Sequence, residues 1–260
     1  MSNLSKNTAS EEFERFVAIV KRLRLECPWD KEQTHESLAA PLIEEAYETV
    51  QAIEENDISD LRKELGDLLL HVVFHAVIGE EQDEFSLTEV IRSETEKLIY
   101  RHPHIFQDAV VTSGEDVKRN WEQLKRAETG RTSILDGVPT AMPALQRATR
   151  LQERAATVGF DWPTEAGVLD KIKEEFDEFS HATEAHEKED EFGDILFSLV
   201  NYSRHQKIDA ERALRKAADK FDARFRIVEK NVEASGNAWQ SYSLEDLDRF
   251  WNEAKQIERS

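Results

Sequence analysis

The chain has 260 residues and sets 54 Asp and Glu against 34 Lys and Arg, a formal net charge of −20. That balance excludes the usual nucleic-acid binder, which meets phosphate with a basic face. Charged residues reach 34%, and 9 Gly with 6 Pro leave too little turn chemistry for a β-sandwich or barrel, so an all-α fold is expected.

In chain order, the stretch from Met1 to Glu12 has no apolar signal core, and the one cysteine, Cys27, cannot close an internal disulfide. A reducing cytoplasm is expected. Cys27 stands between Glu26 and Pro28 with no evident base, and no chemistry is assigned to it. Apolar residues at three- and four-residue steps predict amphipathic helices over 39–55, 61–78, 87–100 and 116–126. Asn56-Asp57 separates the first two, and Ser86 with Glu89 is a capping-box pattern. The most apolar run, 68–78, is interrupted by His71 and His75 and is shorter than the ~18 residues of a membrane span, so no bilayer crossing is expected. His71 and His75 have zinc spacing, but Val72 stands where a zinc protease of that pattern carries its general base; both read as neutral helix residues. Breakers crowd 129–143, read as a linker between an N-terminal module, 1–128, and a C-terminal module, 144–260. Helical spacing resumes over 144–157, 168–187, 191–206, 210–234 and 244–258.

The second half repeats the first. Glu44-Glu45-x-x-Glu48 returns as Glu174-Glu175-x-x-Glu178, Glu64-x-Gly-Asp67 as Glu191-x-Gly-Asp194, Lys97-x-x-x-Arg101 as Lys220-x-x-x-Arg224, and Trp121-x-x-x-Lys125 as Trp251-x-x-x-Lys255. Four matches in one order at offsets of 123 to 130 residues indicate an internal duplication.

Within each copy, carboxylates three apart share a helix face. A short antiparallel connection would bring Glu45, Glu48, Glu64 and Asp67 together in the first module, and Glu175, Glu178, Glu191 and Asp194 in the second. Four such charges repel unless compensated, and Mg²⁺ is the natural compensation, since it takes a few carboxylates plus water and phosphate. A solvated acidic face is the plain alternative for one Glu pair. The repetition of the pattern, with a Gly inside each Glu-x-Gly-Asp where a helix would rather have Ala, outweighs it. The i,i+4 pairs Lys97/Arg101 and Lys220/Arg224 suit the outer charges of a polyphosphate. Glu178-x-x-His181 is a di-iron-type element, but its counterpart ends in Gln51 and the second copy is missing.

The ordered set Cys27-Pro-Trp-Asp30, Gln33-Thr34, Glu44-Glu-Ala-Tyr-Glu48, Glu64-Leu-Gly-Asp-Leu68, Arg101-His-Pro-His104, Val158-Gly-Phe-Asp-Trp162 and Glu191-Phe-Gly-Asp194 resembles MazG, the two-module nucleoside triphosphate pyrophosphohydrolase family. The resemblance implies tandem helical modules assembled as bundles in a homodimer, and Mg²⁺-dependent hydrolysis of a (d)NTP to the monophosphate and pyrophosphate, with Mn²⁺ as a substitute. It implies metal ligands Glu175, Glu178, Glu191 and Asp194, and a nucleotide held by Lys171, Lys220, Arg224 and Trp251 with Lys125 of the first module. Glu174 is the carboxylate left to accept a proton. The first module keeps Glu45, Glu48, Glu64 and Asp67 as a candidate second metal site, but Pro41 stands where the second module has Lys171, so weak nucleotide binding there is expected. The rival readings are a di-iron bundle and a non-catalytic helical interaction module; product analysis and metal preference separate them.

Overall fold

A computed structural model describes residues 8–107, 112–114, 116–117, 120–121, 124 and 133–259. Among these residues no strand occurs, and the chain divides into two compact units, 1–128 and 129–260.

In the first unit, helix α1 (Ala9–Glu26) opens on a capping box between Thr8 and Glu11, and a short helix α2 (Pro28–Glu32) starts with proline at its first turn. Helix α1 lies beyond the helices read from periodicity. Its apolar residues Phe13, Phe16, Val17 and Val20 nevertheless have helical spacing, and they pack against Val73, Phe74, Val77 and Ile78 to form the core of the unit. Helices α3 (Ala39–Glu55) and α4 (Ile58–Glu81) form an antiparallel hairpin. Asn56 ends α3 in the left-handed region at φ 57°, and the Asp57 carboxylate accepts from the backbone N–H groups of Ser59 and Asp60, starting α4 at once. Helix α4 runs a turn past its expected end, to Glu81. Gly79 lies so close to the Phe85 ring that a Cβ there would come within 2.8 Å of it. Helices α5 (Leu87–Arg101) and α6 (Pro103–Phe106) follow, α5 on the expected Ser86–Glu89 capping box. The helix expected over 116–126 falls partly outside the described residues.

The second unit begins with a segment held down by Arg154. The Arg154 guanidinium, 6% exposed, donates to the carbonyls of Ile134, at 3.2 Å, and of Asp136. Helix α7 (Ala144–Ala156) carries that arginine. Helices α8 (Glu165–His181) and α9 (Ala185–His205) form the second hairpin, followed by α10 (Ala210–Ser235), closed by Gly236 at φ 71°, and α11 (Leu244–Arg259). The helix expected over 168–187 stops six residues early. Ala182 is extended, at φ −60° and ψ 130°, and Glu184 with Glu187 makes a fresh capping box for α9. Val168, Ile195, Val200, Val228 and Val232 are buried in this unit.

Candidate metal and nucleotide site

The two hairpins place their carboxylates at matching heights. Six residues separate Glu64 from the first residue of α4, and seven separate Glu48 from the last of α3, a rise of about 9–10 Å in each arm. Glu175 and Glu191 each stand six residues from the turn of the second hairpin. Glu45, Glu48 and Glu64 therefore converge, with one oxygen of each within 4.8 Å of the others, and Glu175, Glu178 and Glu191 do the same. The structure brings three of the four carboxylates together in each unit. Asp67 and Asp194 lie one turn further and stand outside these groups; Asp67 still acts on Glu45 through its charge.

In each triad one member is deeply shielded. Glu64 is 1% exposed and Glu175 is 4% exposed. Each carries a lysine. The Lys63 ammonium donates to Glu64 Oε1 at 2.6 Å, and Lys171 meets Glu175 Oε1 at 2.8 Å and Glu174 Oε1 at 2.9 Å. Those bonds hold the Glu64 carboxyl below its ordinary range and hold Lys171 firmly protonated. Other members of the triads shift the opposite way. Burial, followed by the charges of Asp67, Glu48 and Glu64, raises Glu45; the charge of Glu64 and then burial raise Glu48; burial and the bond with Glu175 raise Glu178.

Lys63 was hidden from the sequence comparison. Matching the modules position by position pairs Pro41 with Lys171 and leaves the first triad without a cation, yet the structure supplies one from the other arm of the hairpin. The only signal is its adjacency to Glu64; the corresponding position in the second module is Asp190.

A second constellation is also duplicated. Arg224 on α10 lies over the Trp251 ring of α11 at 5.7 Å, and Arg101 lies over Trp121 at 5.3 Å. Phe221 packs beside Trp251, with ring centroids 5.2 Å apart, and Arg224 donates through Nε to Glu258 at 2.7 Å. Lys220 is exposed one turn before Arg224. Arg224 and Trp251 are thus brought together on one helix pair, and Lys171, Glu175, Glu178 and Glu191 on another. Lys125 lies outside the described residues.

The donor set of each triad is oxygen alone, which suits a hard divalent cation. Glu64 Oε2 is buried and has no hydrogen-bond partner, as a ligand oxygen facing a cation would be. His181 takes no part: its Nδ1 bonds the carbonyl of Asp177 at 2.7 Å, so neither triad has the histidine that a di-iron site of this type requires. His71 and His75, on α4, belong to neither triad, and burial lowers the pKa of each.

Comparison with known proteins agrees with this duplicated arrangement. The MazG nucleotide pyrophosphohydrolase domain matches twice, over residues 33–106 and 164–228. The nucleoside triphosphate pyrophosphohydrolase/pyrophosphatase MazG of Thermotoga maritima is 46% identical over 247 residues, covering 94% of this chain and 95% of that protein. The nucleoside triphosphate pyrophosphohydrolase of Escherichia coli K12 is 42% identical over 258 residues, covering 95% and 98%. Among solved structures, a mazG-related protein from Thermotoga maritima matches 44% of this chain and 98% of its own length at 28% identity, with a TM-score of 0.39. With the domain present once in each carboxylate-bearing unit, the chain belongs to the MazG nucleotide pyrophosphohydrolase family.

Proposed function

We propose that this protein hydrolyses nucleoside triphosphates to the monophosphate and pyrophosphate, with Mg²⁺ as cofactor and the second unit as the main site. The carrying observation is the triad Glu175, Glu178 and Glu191 with Lys171 already bonded to it. The relatives from Thermotoga maritima and Escherichia coli bear the name of this activity.

In this reading Glu175, Glu178 and Glu191 hold the cation, with Asp194 one turn along α9 as a further oxygen donor. Bound Mg²⁺ supplies charge against the triphosphate and lowers the pKa of a coordinated water. Lys171 exchanges its bonds to Glu174 and Glu175 for a phosphate oxygen. Glu174, more than half exposed and released from Lys171, accepts the proton of the attacking water. The water oxygen bonds to the α-phosphorus, the bond from that phosphorus to the α,β-bridging oxygen breaks, and pyrophosphate leaves against Lys220 and Arg224. Trp251, which already carries a guanidinium on its face, stacks on the base.

The functional unit in this proposal is a homodimer. Large apolar side chains stand exposed on both hairpins, Leu65, Leu69 and Val72 on α4 and Phe192, Leu196 and Leu199 on α9, and a second copy would cover them. The first unit serves chiefly in assembly. The test of function is purified protein with a (d)NTP panel and Mg²⁺, with products separated by chromatography. Monophosphate and pyrophosphate are expected; a diphosphate and orthophosphate as first products would refute the reading.

A further inference from the structure

The two triads are built alike, but their lysines come from different arms of the hairpin. Glu64 in the first unit and Glu191 in the second are equivalent, each six positions past the first residue of its helix. The residue before Glu64 is Lys63 and the residue before Glu191 is Asp190, so these matched neighbours carry +1 against −1. On the other arm the order is reversed, with Pro41 in the first unit where the second has Lys171.

The consequence for a cation differs between the units. Lys171 divides itself between Glu175 at 2.8 Å and Glu174 at 2.9 Å, and Glu174 lies outside the triad. A divalent ion that displaces Lys171 from Glu175 therefore leaves it bonded to Glu174. Lys63 instead holds Glu64 Oε1 at 2.6 Å, and its charge also acts on Glu48. The carboxylate beside it outside the triad, Asp60, is 3.8 Å away, beyond hydrogen-bond reach. The Glu64 charge acts on both Glu45 and Glu48, and Glu64 Oε2 is buried with no hydrogen-bond partner. One oxygen of this ligand is thus taken by an ammonium, and the other is left for a cation.

We propose that Lys63 sets the two triads apart in cation affinity: its ammonium supplies at Glu64 part of the charge that a divalent ion would, so the first triad binds such an ion more weakly than the second. The inference rests on the cation sites of the proposed function and gives the unequal roles of the two units a cause in the chain itself. An ammonium held about 5 Å from a divalent ion in water-like surroundings repels it enough to lower its affinity about tenfold. The Lys63 side chain is 67% exposed, so its loss removes a surface ion pair that adds little to folding, yet changes the field at the triad.

The experiment uses the full chain without nucleotide, with Mn²⁺ as the probe and electron paramagnetic resonance to count the free ion. The wild type should show two classes of site about tenfold apart. Glu178→Gln should remove the tight class and leave the first triad to be read alone. In that background Lys63→Met should tighten the remaining site about tenfold, and Lys63→Arg, which keeps the charge, should leave it unchanged. Adding Glu48→Gln to Lys63→Met should abolish the gain. Equal affinity in Lys63→Met and its parent, or a gain that survives Glu48→Gln, overturns the proposal, as do two equivalent sites in the wild type. Should Lys63→Met fail to fold by circular dichroism, Lys63→Gln is titrated in its place and the same outcomes decide. Pyrophosphate release measured with Mg²⁺ on the same wild-type preparation keeps the two readings apart. Normal release without an effect of Lys63 sinks the role of Lys63 alone, and that effect without release sinks the hydrolase alone.

Discussion

Acidification should open helix α4 selectively, because its buried histidines must stay neutral. His35 and His75 face each other with Nδ1 atoms 2.7 Å apart and ring planes within 1°, so a single proton lies between them, and a second would set two N–H groups against one another. His71 is 8% exposed, and its Nδ1 and the Nε2 of His75 are buried without partners. Burial lowers the pKa of both His71 and His75; His35 and His71 add to the effect on His75, while Asp67 opposes it on His71. A histidine depressed in the folded state takes up its proton first when unfolded. The stability it contributes is therefore complete above the unfolded pKa of about 6.5 and is lost as the pH falls below it. If a folded ring stays neutral at pH 5.5, the unfolded state gains about 1.4 kcal/mol from that ring, so the two together cost at most about 3 kcal/mol. Hydrogen exchange of the α4 amides reads this opening without interference from the second unit. After correction for the intrinsic rate, exchange should accelerate by up to about 100-fold between pH 7.5 and pH 5.5, and far less in the double variant His71→Leu/His75→Phe. Parallel pH dependence in wild type and variant would show that the histidines do not govern the helix.

Glu178→Gln should lower pyrophosphate release by about 100-fold or more, while Glu48→Gln, with its dimer intact, should lower it less than about threefold; equal losses by the same assay would move catalysis out of the second unit. Saturating Mg²⁺ should raise the melting temperature, a stabilisation of about 2.7 kcal/mol at a concentration 100 times the Kd, and differential scanning fluorimetry should show part of that shift missing in Glu175→Gln. Arg154→Met leaves the carbonyls of Ile134 and Asp136 without their charged donor and should cost the second unit about 2–4 kcal/mol in urea unfolding. Light scattering at micromolar concentration should give twice the 30.0 kDa chain mass, and an active monomer would contradict the assembly.

Much of this architecture is legible in the sequence, and the exceptions have physical causes. Helix periods and the Asn56-Asp57 break are local properties, and the repeated Glu-x-Gly-Asp needs only counting, so the hairpins and their triads follow from spacing. Helix α1 was also written locally, in Thr8, Glu11 and the spacing of Phe13 to Val20, but it lies upstream of the repeated motifs that organise the reading. The end of α8 at His181 depends on backbone geometry at Ala182, with no Gly or Pro to mark it. Asp67 and Asp194 share a face with Glu64 and Glu191, yet one turn of rise takes them out of the triads, a distance that spacing alone does not convey. Lys63 reaches Glu64 from the neighbouring position, so no comparison of matched positions could find it. The pairing of Arg154 with the segment 134–136 joins residues far apart in sequence.

The turns of the two hairpins act as gauges. Only Asn56 and Asp57 separate α3 from α4, and only 182–184 separate α8 from α9. Adding one residue between a turn and its carboxylate, with the start of the helix held in place, would shift that carboxylate by about 1.5 Å along the axis and turn it by about 100°, swinging Glu64 or Glu191 away from its companions. Surface connections elsewhere in proteins drift freely in length. Here the first turn fixes the helix start with two residues and the second with three, while Glu64 and Glu191 both stand six positions after the first residue of their helix, so length variation should be absent between each helix start and its carboxylate.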